Sequence, residues 1–229
     1  PCLSDSLDPV HSLTKGACPV LADYQEAFHQ QIRKIQDEVC SQLKTLDPDI
    51  SLTETHWKRK DYEGHEGGGG ITRAFEGSVF ENAGVNSSLI HGKINPSFAE
   101  KLGVSSNELW ATGVSMIMHP QNPKVPSFHA NFRMIQSGER YWFGGGADLT
   151  PFYPLEEDFA YFHQTWKNTC DPYECYEWMK KECDEYFVNH HRDKEMRGVG
   201  GIFFDHFQSG DISKEYQMVT ELSETISES

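Results

Sequence analysis

The chain has 229 residues, a length typical of one domain with embellishments at about 150 residues per domain. It has 20 Lys and Arg residues and 35 Asp and Glu residues, so its formal net charge is −15. This charge argues against a protein that binds nucleic acid or an anionic membrane, since both need a cationic surface. No apolar run approaches the roughly 18 residues that a membrane-spanning helix requires, so we expect no membrane span.

The first half of the chain predicts a tail, one helix and a series of strands. Residues 1–18 mix Pro, Ser and Gly without periodicity, as flexible tails do. Apolar residues then recur three and four positions apart and predict an amphipathic helix that ends at Pro48; they are Phe28, Ile32, Ile35, Val39 and Leu43. Residues 50–120 indicate strands interrupted by glycine, most conspicuously by four glycines at 67–70. No Gly-Lys-Ser/Thr follows, so a phosphate loop is a weak interpretation and we expect a flexible lid or a bulge.

The second half predicts a mixture of strands and helices. Residues 109–120 and 125–135 indicate two strands joined by a proline-rich turn. Residues 141–154 start as a strand and then predict a glycine-rich loop. The remaining segments predict helices at 155–170 and 172–192, a strand at 199–207 and a final polar helix from 213. The whole pattern predicts a single α+β domain over residues 19–229.

The six cysteines predict reduced thiols rather than disulfides. None pairs with another at the C-x-x-C spacing of zinc ribbons and thioredoxin-like motifs. The N-terminal residues show neither a long apolar stretch nor an Arg-rich amphipathic pattern, so they do not resemble a secretion signal or a transit peptide. We therefore expect a cytoplasmic protein, although an even number of cysteines also permits disulfide pairs.

Polar side chains alternate along the two strands at 109–135. Alternate residues of a strand share a face, so His129, Asn131 and Arg133 lie together, as do Ser115 and His119. If the strands are antiparallel neighbours, these side chains line one polar patch. A solvated sheet face is the alternative. The composition favours a site, because Ser, His, Asn and Arg bind anions and move protons.

Two further segments carry charged residues in unusual surroundings. Asp148 directly follows three glycines, which allow close approach of a ligand to the backbone, but it also suits a cap of the next helix. Residues 57–60 and 190–201 are locally cationic in this acidic chain, and the second stretch contains Arg197. Such arginines could pair with carboxylates of a ligand; the alternative for the second stretch is a helix end that favours cations.

Four segments together resemble the oxygen-dependent coproporphyrinogen III oxidase family. They are GGGGITRAFEGSVFENAGVN, ATGVSMIMHPQNPKVPSFHANFRM, YWFGGGADLTPFYPLEEDFAYFH and EYFVNHHRDKEMRGVGGIFFD, within residues 20–207. The resemblance implies a large antiparallel sheet flanked by helices on both faces. It also implies oxidative decarboxylation of two propionates of coproporphyrinogen III to vinyl groups, which gives protoporphyrinogen IX for haem biosynthesis. Molecular oxygen is then the co-substrate, and no flavin, haem or nicotinamide is needed.

The resemblance assigns roles residue by residue. His129 matches the proton donor, and Asp148 matches the aspartate that holds the pyrrole N–H groups. The substrate-binding positions are matched by Ser115, Asn131, Phe132 and Arg133, and Arg197 is a further candidate for pairing with a propionate. His119, His163 and His191 match positions described as metal ligands in some bacterial relatives; we predict that no metal is required. The resemblance also implies a homodimer with Val79–Ser88 near its interface.

The resemblance ends after Asp205, and we expect a C-terminally incomplete member of the family. That expectation keeps a second function open, a tetrapyrrole-binding protein or an inactive truncated form of the enzyme. A third possibility is a metal-dependent hydrolase or oxygenase that uses the histidines. Substrate-dependent consumption of oxygen and the effect of chelators would separate the three.

Overall fold

The computed structural model describes residues 20–229, so the predicted tail at 1–18 lies outside the described residues. Its main feature is a seven-stranded antiparallel sheet with strand order β1-β2-β3-β4-β5-β6-β9. The strands are β1 (Ser51–Lys60), β2 (Glu66–Glu76), β3 (Phe80–Lys93), β4 (Glu108–Pro120), β5 (Ser127–Ser137), β6 (Arg140–Thr150) and β9 (Gly201–Phe207), and a separate hairpin pairs β7 (Val188–Asn189) with β8 (Glu195–Met196).

The helices are α1 (Leu21–Leu46), α2 (Pro96–Lys101), α3 (Glu156–Cys170), α4 (Tyr176–Tyr186) and α5 (Ile212–Glu224). Helix α1 buries the predicted apolar stripe and ends just before Pro48, as the sequence predicts. Helices α1, α3 and α5 pack on one face of the sheet, which we call the helical face, and α4 packs along β9. Among residues 20–229, no helix is long and apolar enough to cross a membrane.

The core lies between the helical face of the sheet and the helices that pack on it. Phe132 of β5 stacks on Trp166 of α3 with ring centroids 6.3 Å apart and lies 6.2 Å from the ring of Phe204 in β9. All three side chains are almost completely buried. Because strand side chains alternate, this packing directs the residues on either side of Phe132 to the opposite, open face of the sheet. On the open face, α2 covers one end, and at the other end Tyr186 of α4 stacks on Phe203 of β9. The predicted α+β fold with an antiparallel sheet and helices on both faces is confirmed.

Three local predictions differ from the structure in whole or in part. The glycines 144–146 lie inside β6 rather than in a loop, because β6 pairs on both sides with β5 and β9. The glycines 67–70 lie in β2, paired with β1 and β3, so the lid is wrong, but the bulge offered with it is present: between Lys58–Gly69 and Lys60–Glu66, β2 has one residue more than β1. The sequence reading also missed α2, although Asn95 caps its first turn and Pro96 follows.

The helix predicted at 172–192 is shorter at both ends. Pro172 belongs to a 3-10 turn, and Glu174 then adopts a left-handed backbone conformation (φ 53°) that no α-helix contains. At the other end Asp193 and Lys194 both have positive φ angles and turn the chain between β7 and β8. Backbone pairing in this hairpin replaces the last helical turn.

The described cysteines are all buried and free; they are Cys40, Cys170, Cys175 and Cys183. This agrees with the expectation of reduced thiols for these four. Cys2 and Cys18 lie outside the described residues.

Candidate active site

The strand register assembles the polar patch on the open face. β4 and β5 are antiparallel neighbours, as the patch requires, and Ser115 stands opposite Asn131. On the other side of β5, His129 stands opposite Asp148 of β6. His119 lies close by, with its ring 6.0 Å from that of His129. Residues far apart in the chain therefore meet on one face because their strands are hydrogen-bonded in this register.

Asp148 is a buried carboxylate that Arg197 holds. Nη2 of Arg197 lies 2.6 Å from both carboxylate oxygens, and only 6% of the Asp148 side chain is exposed. The guanidinium of Arg197 also lies 4.0 Å from the ring centroid of Phe187, a favourable cation–π contact. Asp148 lies in a strand, and α3 receives no side-chain cap at Leu155, so the alternative that Asp148 caps this helix is wrong.

His129 is placed to exchange a proton beside Asp148. Its Nδ1 lies 3.5 Å from Oδ2 of Asp148, and this buried nitrogen forms no hydrogen bond with any of residues 20–229. One quarter of the His129 side chain is exposed, so a ligand on the open face can reach it. A histidine with an unbonded nitrogen beside a carboxylate is suited to acid–base chemistry.

Arg133 is held in position by its neighbours. Its guanidinium donates to the side-chain oxygen of Asn131 (2.9 Å) and pairs with Asp205 of β9 at 3.0 Å. The amide of Asn131 in turn donates to the carbonyl of Val114. Gly144 leaves room for this arrangement, because a Cβ there would lie 2.8 Å from Nε of Arg133. The sequence reading found Arg133 but missed Asp205, which no spacing rule links to β5.

A cavity of about 750 Å³ adjoins this patch on the open face. Ser115, Asn131 and Arg133 line one end of it, and it extends across β4, β3 and β2 to β1, under α2. His129, Asp148 and Arg197 are not among its lining residues. The candidate site therefore has two parts, a binding cavity and an acid–base group next to its β5 end.

Phe132 does not share the open face. Its side chain is completely buried in the core, so any contact of Phe132 with a ligand on the open face would use its backbone. The backbone of Phe132 lies against Gly113 of β4. A Cβ added at Gly113 would lie 2.8 Å from the carbonyl oxygen of Phe132. The residue supports the site by packing.

The histidines predicted as alternative metal ligands do not form a cluster. Both ring nitrogens of His163 are engaged, one with the carbonyl of Val199 and the other with the hydroxyl of Tyr176, each at 3.0 Å. Burial is the main cause of a lowered pKa for His163. Nδ1 of His119 lies 3.0 Å from the Asn82 oxygen, and within residues 20–229 no group of three or more His, Cys, Asp or Glu is placed to hold a metal ion.

Val79–Ser88, the segment predicted near a dimer interface, runs into the middle of the sheet. β3 pairs with β2 on one side and β4 on the other. Any contact of residues 80–88 with a partner must therefore use side chains or the loop at Val79, not backbone pairing.

The fold and the site define an α+β protein whose open sheet face combines a buried carboxylate, a histidine and arginines. Residues 27–229 match the family model of coproporphyrinogen III oxidase, and the chain belongs to this family. Since the match extends to Ser229, the expectation that the resemblance ends after Asp205 is wrong.

Curated relatives carry the name oxygen-dependent coproporphyrinogen-III oxidase. The protein of Prochlorococcus marinus strain MIT 9313 is 46% identical over 181 residues, which cover 77% of this chain and 50% of the relative. That of strain NATL1A is 44% identical over 78% of this chain and 51% of the relative. A Synechococcus relative is 42% identical over 81% of this chain and 51% of the relative. The chain thus spans about half the length of the curated relatives it matches.

Proposed function

We propose that this protein acts in the oxidative decarboxylation of coproporphyrinogen III to protoporphyrinogen IX, with molecular oxygen as oxidant. The observation that carries the proposal is the pairing of buried Asp148 with Arg197, beside His129 and next to a cavity lined by Ser115, Asn131 and Arg133. The relatives' name supplies the substrate and the oxidant. The site supplies the groups that such a reaction needs.

Each decarboxylation requires one oxygen molecule and one proton. A propionate loses carbon dioxide and a hydrogen from the carbon next to the ring, and oxygen takes up two electrons and leaves as hydrogen peroxide. The hydrogen from that carbon and one further proton end on the peroxide, which balances the step. His129 is placed to provide this proton, because it lies beside Asp148 and one quarter of its side chain is exposed on the open face.

Asp148 orients and activates the pyrrole. A carboxylate oxygen can accept more than one hydrogen bond, so Asp148 can receive pyrrole N–H groups while Arg197 still holds it. The negative charge of Asp148 stabilises positive character on an electron-rich pyrrole as it reacts with oxygen to form a hydroperoxide. Arg133, and the guanidinium nitrogens of Arg197 that do not contact Asp148, pair with propionates and keep them ionised, as loss of carbon dioxide requires.

Further features of the proposal concern cofactors, assembly and location. We propose that neither a metal nor an organic cofactor is required, and that the protein forms a homodimer in which the Val79–Ser88 region is near the interface. The four buried free thiols suit a reducing compartment such as the cytoplasm.

Aerobic turnover of coproporphyrinogen III by this chain tests the proposal. Product is oxidised to the porphyrin and followed by chromatography, with and without a chelator. We expect the wild-type chain to form product in both conditions and Asp148→Asn to lose turnover by at least about a hundredfold, as is typical when one electrostatic contact to a developing charge is removed. Asp158→Asn, at the exposed start of α3, is the matched control. Near-normal turnover by Asp148→Asn would contradict the role of this residue. Binding of the substrate without product would instead support the second candidate function, tetrapyrrole binding.

A further inference from the structure

The cavity on the open face is cationic, although the chain is strongly acidic. Among residues 20–229, its lining contains four basic residues, Arg59, Lys60, Lys93 and Arg133, and one carboxylate, Asp61. The chain as a whole has a formal net charge of −15. A local excess of positive charge in such a chain indicates a place where a ligand brings negative charge.

Two neighbouring cations of β1 line this cavity opposite a bulge in β2. The register of β1 with β2 shifts between Lys58, which stands opposite Gly69, and Lys60, which stands opposite Glu66. In a regular strand Arg59 and Lys60 would point to opposite faces. Between these two pairs β1 has one residue, Arg59, whereas β2 has two, Gly67 and Gly68, so the extra residue lies in β2. Next to this irregularity both Arg59 and Lys60 line the cavity. Bulges occur often where a strand must re-aim a side chain toward a binding site.

Arg59 and Lys60 are also the cations of this cavity that have no carboxylate partner among residues 20–229. Lys93 pairs with Glu63 at 2.9 Å, and Arg133 pairs with Asp205 at 3.0 Å. Within the described part of the chain, Arg59 makes only a long hydrogen bond, 3.4 Å, to the carbonyl of Lys60.

The one carboxylate in the lining does not neutralise these two cations. Asp61 accepts hydrogen bonds from the backbone N–H groups of Lys93, His65 and Glu63 at 2.8–3.1 Å. Those bonds, the one from Lys93 first, lower the pKa of Asp61 and hold its charge within the turn after β1. Arg59 and Lys60 therefore keep their capacity to bind a carboxylate.

An aromatic surface adjoins the two cations, and it explains part of the glycine run. Trp57 lies two residues before Arg59 on the same face and lines the cavity. Its indole passes directly over Gly70, where a Cβ would lie only 2.5 Å from the ring. Tyr62 and Phe98 continue the apolar wall. The absence of a side chain at Gly70 thus leaves room for the indole of Trp57 beside the two cations.

We propose that Arg59 and Lys60, with Trp57, form a second carboxylate-binding site at the β1 end of the cavity, opposite Arg133. β1 and β5 are four strand spacings apart, about 19 Å at 4.8 Å per strand. A ligand that reaches both ends must have a broad apolar body with carboxylates on opposite sides. A tetrapyrrole with one propionate on each ring has this chemistry. The inference rests on the proposed function, and it assigns Arg59 and Lys60 to a propionate that does not react, because Asp148 and His129 lie next to the other end.

Binding of coproporphyrin III, the stable oxidised form of the proposed substrate, tests this site through quenching of protein tryptophan fluorescence. We expect Arg59→Gln to weaken binding about tenfold, the size of one hydrogen bond to a charged group, and Lys60→Gln to weaken it less, because Lys60 is more exposed. Arg59→Lys should bind within about threefold of wild type. Lys58→Gln, on the same strand, is the matched control and should change binding less than twofold, because Lys58 does not line this cavity.

The tetramethyl ester of coproporphyrin III, measured in the same detergent-containing buffer, separates charge from packing. Its binding should be equal in wild type and Arg59→Gln. Equal affinity of wild type and Arg59→Gln for the free acid overturns the proposed site, and so does an equal loss with the ester. If the wild-type chain binds no coproporphyrin III at all, this site and the substrate class of the proposed function both fail. Binding that depends on Arg59 without turnover leaves this site established and refutes only the catalytic proposal.

Discussion

The ion pair between Asp148 and Arg197 gives an asymmetric prediction for stability. The two partners differ in burial, since 6% of the Asp148 side chain is exposed against 37% of that of Arg197. Arg197→Gln leaves a buried carboxylate without its main partner. Asp148→Asn leaves a guanidinium that still stacks on Phe187 and still reaches water. Removing the arginine should therefore destabilise the protein more than removing the charge of the aspartate.

The size of the difference follows from the exposure of the pair. Removing one partner of a fully buried pair costs about 3–5 kcal/mol. Because more than a third of the Arg197 side chain is in solvent, which screens the pair, we reduce this to about 2–3 kcal/mol for Arg197→Gln. For Asp148→Asn we expect about 1 kcal/mol, the value of an ordinary hydrogen bond. At about 2–4 °C per kcal/mol for a chain of this size, the Tm values should differ by several degrees.

Urea denaturation at pH 7 of the wild type, both single variants and the double variant measures these values and the coupling between the residues. The double variant should be more stable than Arg197→Gln alone, because no unpaired charge is then buried. A loss for Arg197→Gln no larger than that for Asp148→Asn would refute the reasoning and would mean that Asp148 is solvated or that His129 replaces the arginine.

Three further predictions concern the site and its support. Gly144→Ala places a Cβ 2.8 Å from Nε of Arg133 and should weaken coproporphyrin III binding at least about fivefold. Gly84→Ala is the control and should leave binding unchanged, because its Cβ meets nothing closer than 3.7 Å. Equal affinities of the two variants for coproporphyrin III would contradict the steric argument. Phe132→Ala should lower the free energy of unfolding by about 3–5 kcal/mol, measured in urea, because its ring is completely buried. Burial in the folded state lowers the pKa of His163, so protonation below pH 6.5 favours the unfolded chain. The free energy of unfolding should therefore be fully retained above pH 6.5 and decrease below it. If the urea midpoint falls between pH 7 and pH 5.5 by the same amount in wild type and His163→Gln, His163 is not the cause.

Local patterns in the sequence determined much of the fold. The spacing of apolar residues located α1 and α3, and alternation along 109–120 and 125–135 placed Ser115, Asn131 and Arg133 on the face that the structure gives them. These predictions succeed because side-chain periodicity follows directly from the backbone geometry of helices and strands.

Only the tertiary structure decided where the glycine runs lie and how the charges pair. Residues 144–146 have low strand propensity, yet hydrogen bonds to β5 and β9 on either side hold them in β6. Asp148 and Arg197 are 49 positions apart in the sequence, and no local sequence pattern predicts their contact. The bulge in β2 beside Arg59 and Lys60 depends on the register of β1 against β2. Pairing between distant segments sets all three features, and a local reading of the sequence contains no information on that pairing.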